Sequence, residues 1–245
     1  MWAPSSAASW LHEASHRAGL AHCQPQRGDD AVSLSRRQCL GAAAGGAAGV
    51  VAFGLPRAAL AGAQIEEPLA DSVRTALNAA IRNSAPPVPE FGSTEARLAY
   101  LRWRIALGER LQKRIPSSIA RNDFLQTIWY ETRRAGLDVS LVLGLVQVES
   151  NFRKYAVSSA GARGYMQVMP FWTRVIGDGD ASVLFHMQAN LRFGCVILRH
   201  YLDRESGGLF MALGRYNGSR GRAPYPDAVF ARQRNWTFSD PVAQG

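Results

Sequence analysis

The segment LVQVESNF, residues 145–152, sets Glu149 in register with apolar residues. Val146, Leu145, Val142 and Leu141 precede it by three, four, seven and eight positions, and on an α-helix those positions share its face. Desolvation holds a carboxyl on a buried face in its neutral form. A neutral carboxylic acid is the species that protonates a poor leaving group such as a glycosidic oxygen. The plainer alternative is a glutamate at a helix C-terminus pointing to solvent, and helical geometry alone favours it. The downstream residues shift that balance. In AVSSAGARGYMQVMP, residues 156–170, Gly161 and Gly164 permit tight turns, while Met166, Met169 and Pro170 form a pliant apolar wall around Gln167. In GRYNGSRG, residues 214–221, Tyr216 and Asn217 are expected on a turn between glycines. Amides hydrogen-bond hydroxyl and N-acetyl groups and aromatic faces stack on sugars, so these pieces describe a glycan-binding cleft.

The segments ESNF, SSAGARGYMQVMP and RYNGS resemble, in order, the three motifs of the soluble lytic transglycosylase family with the goose-lysozyme-like fold. Those motifs are Glu-Ser-x-Phe, Gly-x-x-Gly-Leu-Met-Gln-x-x-Pro and Ala-Tyr-Asn-x-Gly, and the resemblance spans about residues 120–225. It implies cleavage of the β-1,4 bond between N-acetylmuramic acid and N-acetylglucosamine in peptidoglycan, with a 1,6-anhydromuramoyl product. Glu149 would be the single acid/base, and Ser150 would orient the substrate or the acid. Met166 and Gln167 would line the cleft, Tyr216 would hydrogen-bond near Glu149, and Asn217 would hold substrate. The sequence departs from the pattern at Tyr165, where the family has Leu, and at Arg215, where it has Ala. The last glycine also comes one place early, at Gly218. The two enlarged side chains are expected to alter subsite shape without removing a reacting group. A hydrolytic muramidase on the same fold, and a non-catalytic wall-binding or secretion-apparatus component, are the alternative readings.

A glycosidase with two carboxylates needs a second Asp or Glu across the bond. Glu131, Asp138, Asp178 and Asp180 are available, but none lies in a motif. Asp138 reads as a helix cap, and GDGD as a solvated turn that lacks the later Glu of a calcium loop. Intramolecular attack by the muramoyl 6-hydroxyl needs no separately activated water. Cys195 reads as a small core residue, and His186 and His200 lack metal-ligand spacing. No metal site and no cofactor is expected. Arg153, Arg163, Arg215, Arg220 and Arg222 gather near the motifs, either as a solvated face or as partners for stem-peptide carboxylates. Trp103, Trp129 and Trp172 read as core, with Trp172 close enough to the Met-Gln motif to reach a cleft.

The elements that must carry these residues are mostly α-helical: a lysozyme-like helical domain with a glycan-binding cleft. A short helix is expected near residues 70–83, followed by SAPPVPEFGS as an extended linker, because its prolines deny helix. TEARLAYLRWRIALGERLQKRI carries Leu98, Leu101, Ile105 and Leu111 near helical spacing and stops at Pro116. SSIARNDFLQTIWYETRRAG repeats the pattern with Ile119, Phe124, Ile128 and Trp129 and closes at Gly136. Asp138 opens the helix ending in Glu149. A long helix over residues 182–205 and a shorter one around residues 212–216 complete the set, and strand signals are weak.

Ahead of this domain, residues 33–64 read as an address. Arg36 and Arg37 open it in a Ser-Arg-Arg-x-x-Leu context, and a weakly hydrophobic Ala/Gly run follows. Small residues suited to cleavage after Ala61 or Ala63 close it. The segment resembles a twin-arginine export signal, which implies a periplasmic location. Residues 1–31 fit an extended leader or a gene start placed too early. The organisation expected is therefore residues 1–63 as extension and signal, 64–93 as N-terminal segment and linker, 94–238 as catalytic domain, and 239–245 as tail. Cleavage would remove Cys23 and Cys39. With 28 Lys+Arg against 19 Asp+Glu, the chain carries a net charge of +9, which suits an acidic polymer. The partner expected is peptidoglycan glycan strands; the export signal argues against nucleic acid. No apolar run has the length of a permanent membrane span.

Overall fold

The computed structural model describes residues 64–82 and 87–244. The twin-arginine segment, both proposed cleavage positions, Cys23 and Cys39 lie outside the described residues. Among the described residues eight α-helices follow one another: α1 Asp71–Arg82, α2 Thr94–Leu111, α3 Ser118–Arg134, α4 Val139–Glu149, α5 Phe171–Ile176, α6 Met187–Arg204, α7 Leu209–Asn217 and α8 Pro224–Gln233. Short 3-10 turns occupy Ala181–Phe185 and Pro241–Gln244. The described residues are mostly α, as the periodicity requires. Extended pairing among them consists of isolated antiparallel bridges, Val157 with Arg163 and Arg163 with Val168. No helix among them is long and apolar enough to cross a membrane.

Local chemistry sets the helix starts. The Ser93 and Ser117 hydroxyls accept the backbone N–H of Ala96 and Ala120, and the Asp138 carboxylate accepts that of Leu141 at 2.8 Å. Each satisfies a donor that a helix N-terminus leaves free. Pro224 and Pro226 sit in the first turn of α8, where a missing N–H costs nothing. Those same prolines hide α8 from a periodicity reading.

Three expectations fail on register. Leu98, Ile105 and Ile119 are exposed, while α2 buries Tyr100, Trp103, Leu107 and Leu111. The aromatic residues decide the face: Tyr100 and Trp103 pack with Phe91 and Trp129, ring centroids 4.7–5.8 Å apart, and each buries more area than an aliphatic side chain could. The long helix expected over residues 182–205 is also broken. His186 is extended (ψ 125°), and Asp180 caps a 3-10 turn through the Ser182 N–H before α6 begins. Tyr216 and Asn217 end α7 rather than occupying a free turn, and Gly218 in the left-handed region closes that helix.

Helix α4 is the centre of the core. Leu141, Val142, Leu143, Leu145 and Val146 are all buried, so the helix is enclosed on every side rather than amphipathic. Helix α8 lies along it so closely that a Cβ at Gly144 would stand 2.7 Å from the Gln233 nitrogen and 3.0 Å from the Val229 oxygen. Beyond α8, the Trp236 indole N–H donates to the Gln147 side chain at 2.8 Å. Arg102 grips Asp240 through two bonds of 2.7 and 2.8 Å, and Arg110 donates to the carbonyls of Asn235 and Thr237. Helix α1 packs on α5 and α6, and Gln126 donates to the Pro87 carbonyl at 2.8 Å. Residue 93 therefore marks no break in packing.

Candidate active site

The site forms where the C-terminal end of α4 meets α7 and the start of α8. Enclosure of α4 leaves Glu149 5% exposed at its last turn. The Tyr225 hydroxyl, from the first turn of α8, donates to Glu149 Oε1 at 2.5 Å, while Oε2 is buried without a hydrogen-bond partner. Burial raises the carboxyl from an ordinary 4.5 to about 8, and the Tyr225 hydrogen bond pulls it partly back. The negative end of the α4 dipole acts in the same direction as burial. At neutral pH the group is therefore mainly a protonated acid. With Oε1 occupied as an acceptor, the proton belongs on Oε2.

The segment after α4 folds back as a wall beside this acid, fastened to three helices at consecutive residues. Ser150 Oγ, at the end of α4, donates to the Tyr165 carbonyl at 2.8 Å. Asn190 of α6 accepts the Met166 N–H at 2.9 Å, and the Tyr216 hydroxyl of α7 donates to the Met166 carbonyl at 2.8 Å. The Gln167 amide turns inward to the carbonyls of Gly164 and Ala156. Met166 is fully buried against α6, where a Cβ at Gly194 would meet its sulfur at 2.3 Å. Asn151, Phe152 and Gln167 hold positive φ of 49°, 63° and 48°. A non-glycine residue adopts that conformation at a cost of about 1–2 kcal/mol, so the two motif segments are held by their surroundings rather than by local preference.

The structure buries all six expected residues but gives several of them other partners. Ser150, Met166 and Gln167 are buried and build the wall. Tyr216 donates to the Met166 carbonyl, and the phenol that bonds Glu149 itself is Tyr225. Asn217 Nδ2 donates to the Ser219 hydroxyl at 3.1 Å, and its Oδ1 is buried without a partner. Tyr165 enters the core against Phe124, ring centroids 4.9 Å apart, instead of reshaping the cleft. Sequence reasoning missed Tyr225, which sits between two prolines with no apolar repeat to announce a helix.

The other candidates are engaged elsewhere. Glu131 is buried and ion-paired with Arg192 at 2.9 Å. Asp138 and Asp180 cap their turns, and Asp178 accepts the Asp180 N–H at 3.1 Å. Arg153 donates to the Ser150 carbonyl and Arg163 to that of Ala181. Arg220, and with it Arg215, binds Glu205 and holds its carboxyl down at about 2. Trp172 and Cys195 are core residues, and burial pushes the Cys195 thiol well up. Burial lowers the half-buried His200 imidazole. Among the described residues no group of three or more His, Cys, Asp or Glu could hold a metal ion.

Residues 126–228 match the family model described as "Transglycosylase SLT domain". The chain is similar to a membrane-bound lytic murein transglycosylase C of Haemophilus influenzae (strain PittEE), 49% identical over 113 residues, covering 40% of this chain and 32% of the relative. It is also similar to a transglycosylase of Enterobacteria phage PRD1, 36% identical over 100 residues, covering 39% and 36%. Lytic transglycosylase Slt of Pseudomonas aeruginosa superimposes with a TM-score of 0.36 at 21% identity, over 57% of this chain and 27% of that one. The chain therefore spans only about a third of the length of the relatives it matches. The matched segment contains Glu149, the wall, Tyr216, Asn217 and Tyr225, so it is the part of the chain carrying the site that is similar to the transglycosylase SLT domain.

Proposed function

We propose that this chain is an exported peptidoglycan lytic transglycosylase. It would cleave the β-1,4 bond between N-acetylmuramic acid and N-acetylglucosamine and leave a 1,6-anhydromuramoyl end. The observation that carries the reading is the Glu149 carboxyl: buried, neutral near pH 7, bonded to Tyr225 through one oxygen and unpartnered at the other. The Oε2 proton passes to the glycosidic oxygen as its bond to the muramoyl C1 breaks. The carboxylate left behind then takes the proton of the muramoyl 6-hydroxyl while that oxygen bonds to C1. Glu149 ends protonated and ready for the next chain. Ring closure is intramolecular, so a single carboxyl serves both steps. The unpartnered Asn217 Oδ1 is an acceptor suited to a sugar hydroxyl or an acetamido N–H.

Digestion of purified sacculi followed by mass spectrometry tests the reaction. Anhydromuramoyl ends are expected, and reducing ends alone would make the enzyme a hydrolase. Glu149→Gln should lower turnover by about a thousandfold or more while sparing glycan binding; retained turnover in that variant removes Glu149 from the role of acid.

A further inference from the structure

The chain ahead of the matched domain reaches the site. Gln64 is buried, and its Oε1 accepts the Met169 N–H at 3.3 Å. Its amide nitrogen is buried without a hydrogen-bond partner, and the side chain lies close enough to the Tyr216 hydroxyl to act on its titration. Burial first, and then the nearby Glu149 charge, push that phenol far up, and Gln64 is the influence that opposes them. Tyr216 and Gln64 thus hold the wall from both ends, one at the Met166 carbonyl and the other at the Met169 N–H.

Three residues on, Glu67 accepts from Arg215 at 2.9 and 3.2 Å and also pairs with Arg204. Arg215 immediately precedes Tyr216 and stands where the resembled motif has Ala. Its side chain is only 17% exposed and is shared between Glu67 and Glu205. Stability does not explain Gln64, because its amide nitrogen is buried without a bonded partner. An apolar residue would fill that space at less cost.

We propose that Gln64 is a positioning residue for Tyr216 and the wall beside Glu149, and that the Glu67–Arg215 pair holds it in place. Residues 64–67 then belong to the working site although they precede the SLT match by some sixty positions, and Arg215 departs from the motif because it anchors them. The inference rests on Glu149 being the acid.

The test compares Gln64→Ala and Glu67→Gln with the parent in the full chain, following sacculus digestion against pH alongside thermal unfolding. The titratable groups acting on Glu149 are Tyr225 from α8 and Tyr216 from α7. Admitting water beside Tyr216 relieves desolvation of Glu149, lowers its pKa and costs activity at a lower pH. Gln64→Ala should reduce kcat about tenfold with little change in KM, and move the alkaline limb of the profile toward acid by about half a unit or more. Glu67→Gln, outside the core, should move the limb the same way by less, and decides the matter alone if the first variant does not fold. A limb that stays in place in the folded variants, whatever happens to their melting temperature, overturns the positioning role. Turnover retained by Glu149→Gln would instead overturn the acid assignment, so the two failures are distinguishable.

Discussion

Tyr225 and Glu149 divide one task between them, and each substitution has a definite sign. The Tyr225 hydrogen bond favours the carboxylate, so Tyr225→Phe should raise the Glu149 pKa further. A pH profile of that variant should show its alkaline limb shifted upward from about 8, with turnover reduced about tenfold because the carboxyl loses its orienting partner. A second prediction follows from linkage. The folded-state pKa lies above the unfolded value of 4.5, so the fold is least burdened by Glu149 below pH 4.5. It loses stability as pH rises toward about 8. Glu149→Gln has no such titration. Denaturant unfolding should find it more stable than the parent, by little at pH 4 and by on the order of 3 kcal/mol at pH 7. An advantage that does not grow with pH would show that the parent carboxyl is not desolvated.

At the scale of elements, the packing of α8 along α4 decides whether the acid is enclosed. Gly144→Ala drives a methyl group into the α8 backbone and should cost about 1–3 kcal/mol in unfolding experiments. It should also lower activity, because Tyr225 rides on the same helix. The motif residues were legible in the sequence because their types and spacing are local properties, and the cap at Asp138 was legible for the same reason. What each side chain contacts was not. Periodicity placed Glu149 on an apolar face, but Leu143 shows that α4 has no solvent face at all, a fact set by three-dimensional neighbours. Leu98 and Ile105 matched helical spacing equally well, yet the aromatic stack of Tyr100, Trp103 and Trp129 turned them outward. Tyr225 and Gln64 reach the site over 76 and 105 residues of sequence separation, to Glu149 and Met169 respectively. No window-based reading spans such distances.

At the scale of the whole molecule, a basic chain led by paired arginines fits delivery to an anionic polymer outside the cytoplasm. Changing Arg36 and Arg37 together to Lys should leave the precursor uncleaved and cell-internal in fractionation, whereas normal processing of that variant would rule out the twin-arginine route. The C-terminal closure has a consequence in time. Trp236 seats on Gln147, Arg110 holds the carbonyls of residues 235 and 237, and Arg102 clasps Asp240. These contacts join positions more than eighty residues apart, so they form late in folding. They cannot form at all until residue 240 has left the ribosome. A nascent chain therefore leaves the end of α4 in an unfinished enclosure until residues 224–240 have joined it.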